Sequence, residues 1–151
     1  MSARPCSALG LDVGRRRIGL AGCDPLGLTV TPLGAVARGL FQRDLSLLEP
    51  LIATRRVQVL VVGLPLRADG SEGSQCRHAR RYGERLARQV SLPLVLVDER
   101  CSSWAAAQQP GLAGDRTGRL DSAAAALILA QWLSDGPDPV LVAAPTPSAA
   151  E

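Results

Sequence analysis

Asp12 is placed where an acid is out of character. It closes the apolar run Ala8-Leu9-Gly10-Leu11, Val13 stands after it, and then come Gly14 and three consecutive arginines, Arg15, Arg16 and Arg17. A charge in that company needs a partner, either the amides of a turn that Gly14 makes possible or a cation. Asp98 and Glu99 repeat the pattern at the end of "LPLVLV"; successive strand residues face opposite sides, so one acid of the pair belongs to each face. Asp121 opens the run "LDSAAAALILAQWL". An aspartate there suits an N-cap, yet at 100° per residue Asp121 shares its face with Ala125, Ile128 and Trp132, the side that should pack on a sheet.

Carboxylates gathered in an apolar setting repel one another, so a cluster of them calls for cations. The chain has one histidine, His78, and its cysteines Cys6, Cys23, Cys76 and Cys101 form no CxxC pair. Zinc is therefore disfavoured. Oxygen ligands alone suit hard ions, Mg²⁺ or Mn²⁺. Asp24 and Asp69, by contrast, read as turn residues bonding the local backbone.

The elements that must carry these acids follow from periodicity. "SALGLD" at 7–12, "IGLAGC" at 18–23 and "LTVTPLGAVA" at 28–37 read as a β-meander, with Pro32 favouring an edge for the third strand. Residues 42–54 place Leu45, Leu48 and Ile52 at helical spacing, although Pro50 should kink or shorten that helix. "VQVLVVGLP" at 57–65 is a continuous apolar run, as in a strand buried on both faces. A helix over 75–90, the strand "LPLVLVDER" and a helix over 120–133 complete the order β-β-β-α-β-α-β-α. The predicted fold class is α/β, a mixed five-stranded sheet with helices on both faces. Residues 1–135 form the domain, and the Pro- and Ala-rich 136–151 reads as a loose tail.

Composition narrows the function. The 151 residues suffice for one core that buries about two-thirds of the chain's surface. Phe41, Tyr82, Trp104 and Trp132 are the only aromatics, too few for a base-stacking platform. Every one of the 17 basic residues is arginine, which suits phosphate, and the formal net charge is +3. Neither a signal-peptide core nor a run of about 20 apolar residues is present, so a cytoplasmic protein with no membrane partner is expected.

Five blocks in order, "LGLDVGRRRIGLAGCDPLG", "TPLGAV", "VVGLPLRADGSEG", "VLVDERCSS" and "DSAAAALILAQWL", run from about residue 8 to 134. Together they resemble the YqgF/RuvX family, described as candidate pre-16S ribosomal RNA nucleases related to Holliday junction resolvases. The resemblance implies a ribonuclease H-like fold and a metal-dependent nuclease whose acids fall on Asp12, Glu99 and Asp121. Two departures stand out. "CSSWAAAQQPGLAGDRTGRL" at 101–120 is shorter and richer in glycine than the family's lysine-bearing stretch, so Arg116 and Arg119 would replace those lysines. The strand ending Gly63-Leu64-Pro65 carries no acid where resolvase relatives have one. In the family's strand order 3-2-1-4-5, the Glu99 strand lies two places from the Asp12 strand, about 10 Å away. Two metal ions about 3.5–4 Å apart would bridge that gap.

Such a site would hydrolyse a phosphodiester without a histidine base. Arg15, Arg16 and Arg17 lie next to Asp12, Arg100 follows Glu99, and Arg77, Arg81 and Arg88 share one face of the 75–90 helix with Arg80. All are candidate backbone contacts to nucleic acid, together with Arg116 and Arg119. Glu84 interrupts the helical stripe, and a solvated face accounts for it equally well. The expected partner is structured RNA, or branched DNA, with ribosomal precursor particles as a further candidate, and the expected state is a monomer or weak homodimer. Three other readings compete: a junction-resolving DNA endonuclease, a weakly catalytic nucleic-acid-binding module, and the phosphate hairpin of an actin-like ATPase, which would need a second domain.

Overall fold

The computed structural model describes residues 7–27, 29–98, 119–136 and 140–142. The elements are β1 (Ala8–Val13), β2 (Arg17–Cys23), β3 (Val30–Ala37), α1 (Phe41–Arg55), β4 (Val59–Leu64), α2 (Ser74–Val90), β5 (Pro93–Asp98), α3 (Arg119–Asp135) and β6 (Val140–Leu141). They build one sheet in the order β3-β2-β1-β4-β5-β6. β1, β2 and β3 form the antiparallel meander, while β1, β4 and β5 run parallel. The five expected strands stand in the expected order, with β3 and its Pro32 at one edge. The two-residue β6 is an addition, lying in the stretch read as a tail. It pairs antiparallel with Pro93 and Leu94 and covers part of the other edge of the described sheet.

Strand alternation divides the core into two layers. Leu9, Leu11 and Val13 of β1 pack with Leu60 and Val62 of β4, with Leu45 and Leu48 of α1, and with Ala79, Tyr82 and Leu86 of α2. On the other face Ala8, Ala21, Val59, Val61, Val95 and Val97 pack against Ala125, Ile128, Leu129 and Trp132 of α3. All six residues of β4 are buried, which its unbroken apolar sequence requires. Pro50 does not shorten α1, which continues to Arg55. A proline there removes the hydrogen bond to the Ser46 carbonyl, but Ser46 and Pro50 are both exposed, so water can take the missing donor's place.

Candidate active site

Asp12 lies one residue from the end of β1, half-buried, on the face that α3 covers. Its register partner on β2 is Gly19, so the two positions share that face. A Cβ on Gly19 would stand 2.1 Å from the backbone oxygen of Asp121 and 2.9 Å from its Cβ. The first turn of α3 therefore rests on the space a side chain would fill. Opposed Cβ positions in an antiparallel pair are about 5 Å apart, which puts the Asp12 and Asp121 Cβ atoms within roughly 8 Å of each other. Gly10 makes a second notch, where a Cβ would come within 3.0 Å of Ala125 O and Leu129 Cβ. Gly19→Ala should push α3 off the sheet, costing about 1–3 kcal/mol. The urea midpoint is expected to fall with an unchanged m-value; an unmoved midpoint would show that α3 does not rest on Gly19.

Asp121 sits inside α3 rather than at its N-cap, since the helix is described from Arg119. Its side chain is 26% exposed, but Oδ2 is buried and, among the described residues, has no hydrogen-bond partner. Arg17 Nε lies 3.0 Å from that oxygen, an ion pair by distance that lacks a hydrogen bond's alignment. Arg17, a candidate contact to nucleic acid, is thus engaged with the acid and supplies the cation that two neighbouring carboxylates require. Two carboxylates with a poorly satisfied buried oxygen fit a hard ion such as Mg²⁺, which is usually held by one or two carboxylates plus substrate oxygens. Among the described residues, no three His, Cys, Asp or Glu side chains gather in a way that could hold a metal.

The third acid depends on β5. Leu94 and Leu96 pack in the α1/α2 layer and Val95 and Val97 in the α3 layer, so alternation assigns Asp98 to the side away from Asp12. Glu99 lies outside the described residues, as do Arg100 and Arg116; for Arg119 only the backbone is described. The pairing of Leu11 with Val62 makes Gly63 the next β4 neighbour of Asp12. A buried glycine thus stands beside Asp12 on β4, and this strand end brings no acid to the site.

Arg15 and Arg16 are exposed on the β1–β2 turn, which a Gly14 N–H bond to Arg17 O closes at 2.9 Å. Three contacts clamp that turn from the α2 side. Arg38 N donates to Arg16 O at 2.8 Å, Arg38 Nη1 to Gly14 O at 2.9 Å, and Gln75 Nε2 to Val13 O at 3.0 Å. On α2, Arg77 and Arg81 are exposed and Arg88 is half-buried, all on the layer opposite α3. The Arg80 guanidinium is paired with Glu72, which holds the Glu72 carboxyl below its usual range. These arginines lie on the side of the sheet away from Asp12 and Asp121.

Sequence reasoning missed Asp44, which is fully buried. Its Oδ1 accepts from Gly39 N and its Oδ2 from the Tyr82 hydroxyl, both at 2.9 Å, and Arg38 Nε lies 3.7 Å from Oδ2. Burial, and then the bond to Asp44, push the Tyr82 phenol well above its ordinary pKa. A signal was present: Asp44 shares the helical stripe of Phe41, Leu45 and Leu48.

The model of the family RuvX, described as Holliday junction resolvase, matches residues 6–135. A protein of Parasynechococcus marenigrum (strain WH8102), named "Putative pre-16S rRNA nuclease", is 63% identical over 135 residues, covering 89% of this chain and 86% of its own. Among solved structures, T. thermophilus RuvC in complex with a Holliday junction substrate superposes with a TM-score of 0.59 at 14% identity, over 89% of this chain and 99% of its own. The yeast mitochondrial Holliday junction resolvase Ydc2 gives 0.53 at 11% identity, over 88% and 80%. At those identities the likeness is one of fold, and the fold is ribonuclease H-like.

Proposed function

The chain belongs to the RuvX family, a family of nucleases, and on that premise we propose that it hydrolyses phosphodiester bonds with a divalent cation, acting on precursor 16S ribosomal RNA. One observation carries the reading: the Gly19 notch seats Asp121 beside Asp12 at the C-terminal end of a parallel strand, the edge where open α/β sheets bind ligands. Asp12, Asp121 and Glu99 would hold Mg²⁺ or Mn²⁺, in a two-ion arrangement. Support for Glu99 is the resemblance and the assignment of its neighbour Asp98 to the other face. Bound ions would supply an acidified water and countercharge for the departing 3′ oxygen.

The chain's own residues do the remaining work. Asp12 and Asp121 set where the reacting phosphate stands, Arg15 and Arg16 bind neighbouring phosphates, and Arg17 neutralises Asp121 when no ion is present. Arg77, Arg81, Arg88, Arg100, Arg116 and Arg119 are the further backbone contacts in this reading. No helix among the described residues is long and apolar enough to cross a membrane. The setting proposed is the cytoplasm, on ribosomal precursor particles, with the protein a monomer or weak homodimer.

The family model's description favours a second reading, cleavage of branched DNA. End-labelled RNA spanning the 5′ boundary of 16S and an immobile four-way DNA junction, each with Mg²⁺ or EDTA, separate the two. Cutting of the RNA with Mg²⁺ and none with EDTA is expected. Faster cutting of the junction would establish the second reading, and RNA bound but uncut would leave a binding module.

A further inference from the structure

Away from the carboxylates, a second concentration of charge has no task in the proposed reaction. His78, the one histidine of the chain, is half-buried on α2, and its Nε2 meets Nη1 of Arg38. A guanidinium has donors only, so Nε2 must accept, which leaves the ring neutral with its proton on Nδ1. Arg38 is fixed from behind by Gly14 O, by Asp44 and by the Tyr82 ring, whose centroid lies 4.6 Å from Arg38 Cζ. Arg15, exposed on the β1–β2 turn, reaches the uncharged Ser74 hydroxyl at 3.5 Å, and Arg81 is exposed one turn along α2. Burial, and then the positive field of Arg38, Arg15 and Arg81, keep the imidazole pKa below its ordinary value.

One guanidinium, that of Arg38, thus touches the imidazole, and those of Arg15 and Arg81 add their positive field from the turn and from α2. The carboxylate of the group, Asp44, is buried behind Arg38. Like charges concentrated in this way at a surface attract an anion. The cluster also adjoins the turn two residues beyond Asp12, on the opposite face of the sheet edge. A strand leaving the carboxylates across that edge would meet it next.

We propose that His78, Arg38, Arg15 and Arg81 form a phosphodiester-binding subsite that holds the nucleic-acid backbone as it crosses the β1–β2 turn beside Asp12. The proposal rests on the nuclease reading above and adds to it a second phosphate position on the α2 side. A bound phosphodiester offsets the three arginines and favours the imidazolium: Nε2 takes up a proton, gives up its bond from Arg38 and donates to the phosphate instead. Affinity then rises as pH falls through the bound-state pKa of His78 and levels off below the free-state one.

As the sole histidine, His78 gives a single imidazole Cε1–H resonance that NMR can follow against pH in the full chain. Its titration would be measured free, with inorganic phosphate, and with a short RNA in EDTA to prevent cleavage, while anisotropy reports RNA affinity. RNA is expected to raise the His78 pKa, and His78→Gln to weaken RNA binding about tenfold and remove its pH dependence. If His78→Gln fails to fold, Arg81→Gln on the exposed side should weaken RNA binding and raise the free-state His78 pKa. RNA that binds without moving the His78 titration overturns the subsite and leaves the nuclease reading intact. A shift with inorganic phosphate but none with RNA overturns the nucleic-acid assignment. RNA neither bound nor cut overturns both.

Discussion

Asp12→Asn is expected to reduce metal-dependent cleavage by about two to four powers of ten while leaving RNA affinity equal to or above that of the parent. The substitution keeps the side chain's size and removes its charge, so the Gly19 notch and the docking of α3 are undisturbed. In the proposed site it would replace an anionic carboxylate ligand by a neutral amide, weakening the metal and the stabilisation it would give to charge developing on the phosphate. Binding should persist because the arginines proposed to contact the backbone do not need the acid, and one fewer negative group would face the polyanion. Initial rates at saturating Mg²⁺ together with anisotropy titrations check both halves. Parental cleavage rates in Asp12→Asn would remove the carboxylate site from the mechanism.

Asp44→Ala is expected to cost about 3–5 kcal/mol, the largest stability loss among the substitutions considered. The alanine strands the Tyr82 hydroxyl and the largely buried Arg38, whose side chain is 16% exposed, and leaves the N–H of the exposed Gly39 to water. Leaving a buried charge without its counter-ion is costlier than losing a neutral hydrogen bond, so Tyr82→Phe should cost only about 1–2 kcal/mol. For a chain of this length the difference is about 3 °C per kcal/mol in the melting temperature, readily seen by calorimetry. Equal losses in the two variants would show that the ion pair adds nothing to the hydroxyl contact. Because Arg38 also ties down Gly14, Asp44→Ala should loosen the turn beyond Asp12.

The sheet was legible because its signals are local. Alternation in "LGLDV", the unbroken "VLVVGL" and the edge-favouring Pro32 each report burial directly. The inward face of Asp121 was legible for the same reason, since its helix repeats apolar residues at the right spacing. What sequence did not reveal depends on residues distant along the chain. Asp44, Tyr82, Arg38 and His78 belong to three segments, and no periodicity in one states that the others complete it. The engagement of Arg17 with Asp121 was hidden likewise, across more than a hundred residues. Glu99 was reached through resemblance, and its position is not among the described residues.

The seating of α3 on Gly10 and Gly19 ties chemistry to the order of synthesis. β1 and β2 emerge early from the ribosome, whereas Asp121 arrives only after nearly the whole domain has been translated. Docking the last helix closes one hydrophobic layer and sets Asp121 beside Asp12 in one event, so on the proposed reading an unfinished copy would lack half of the carboxylate pair.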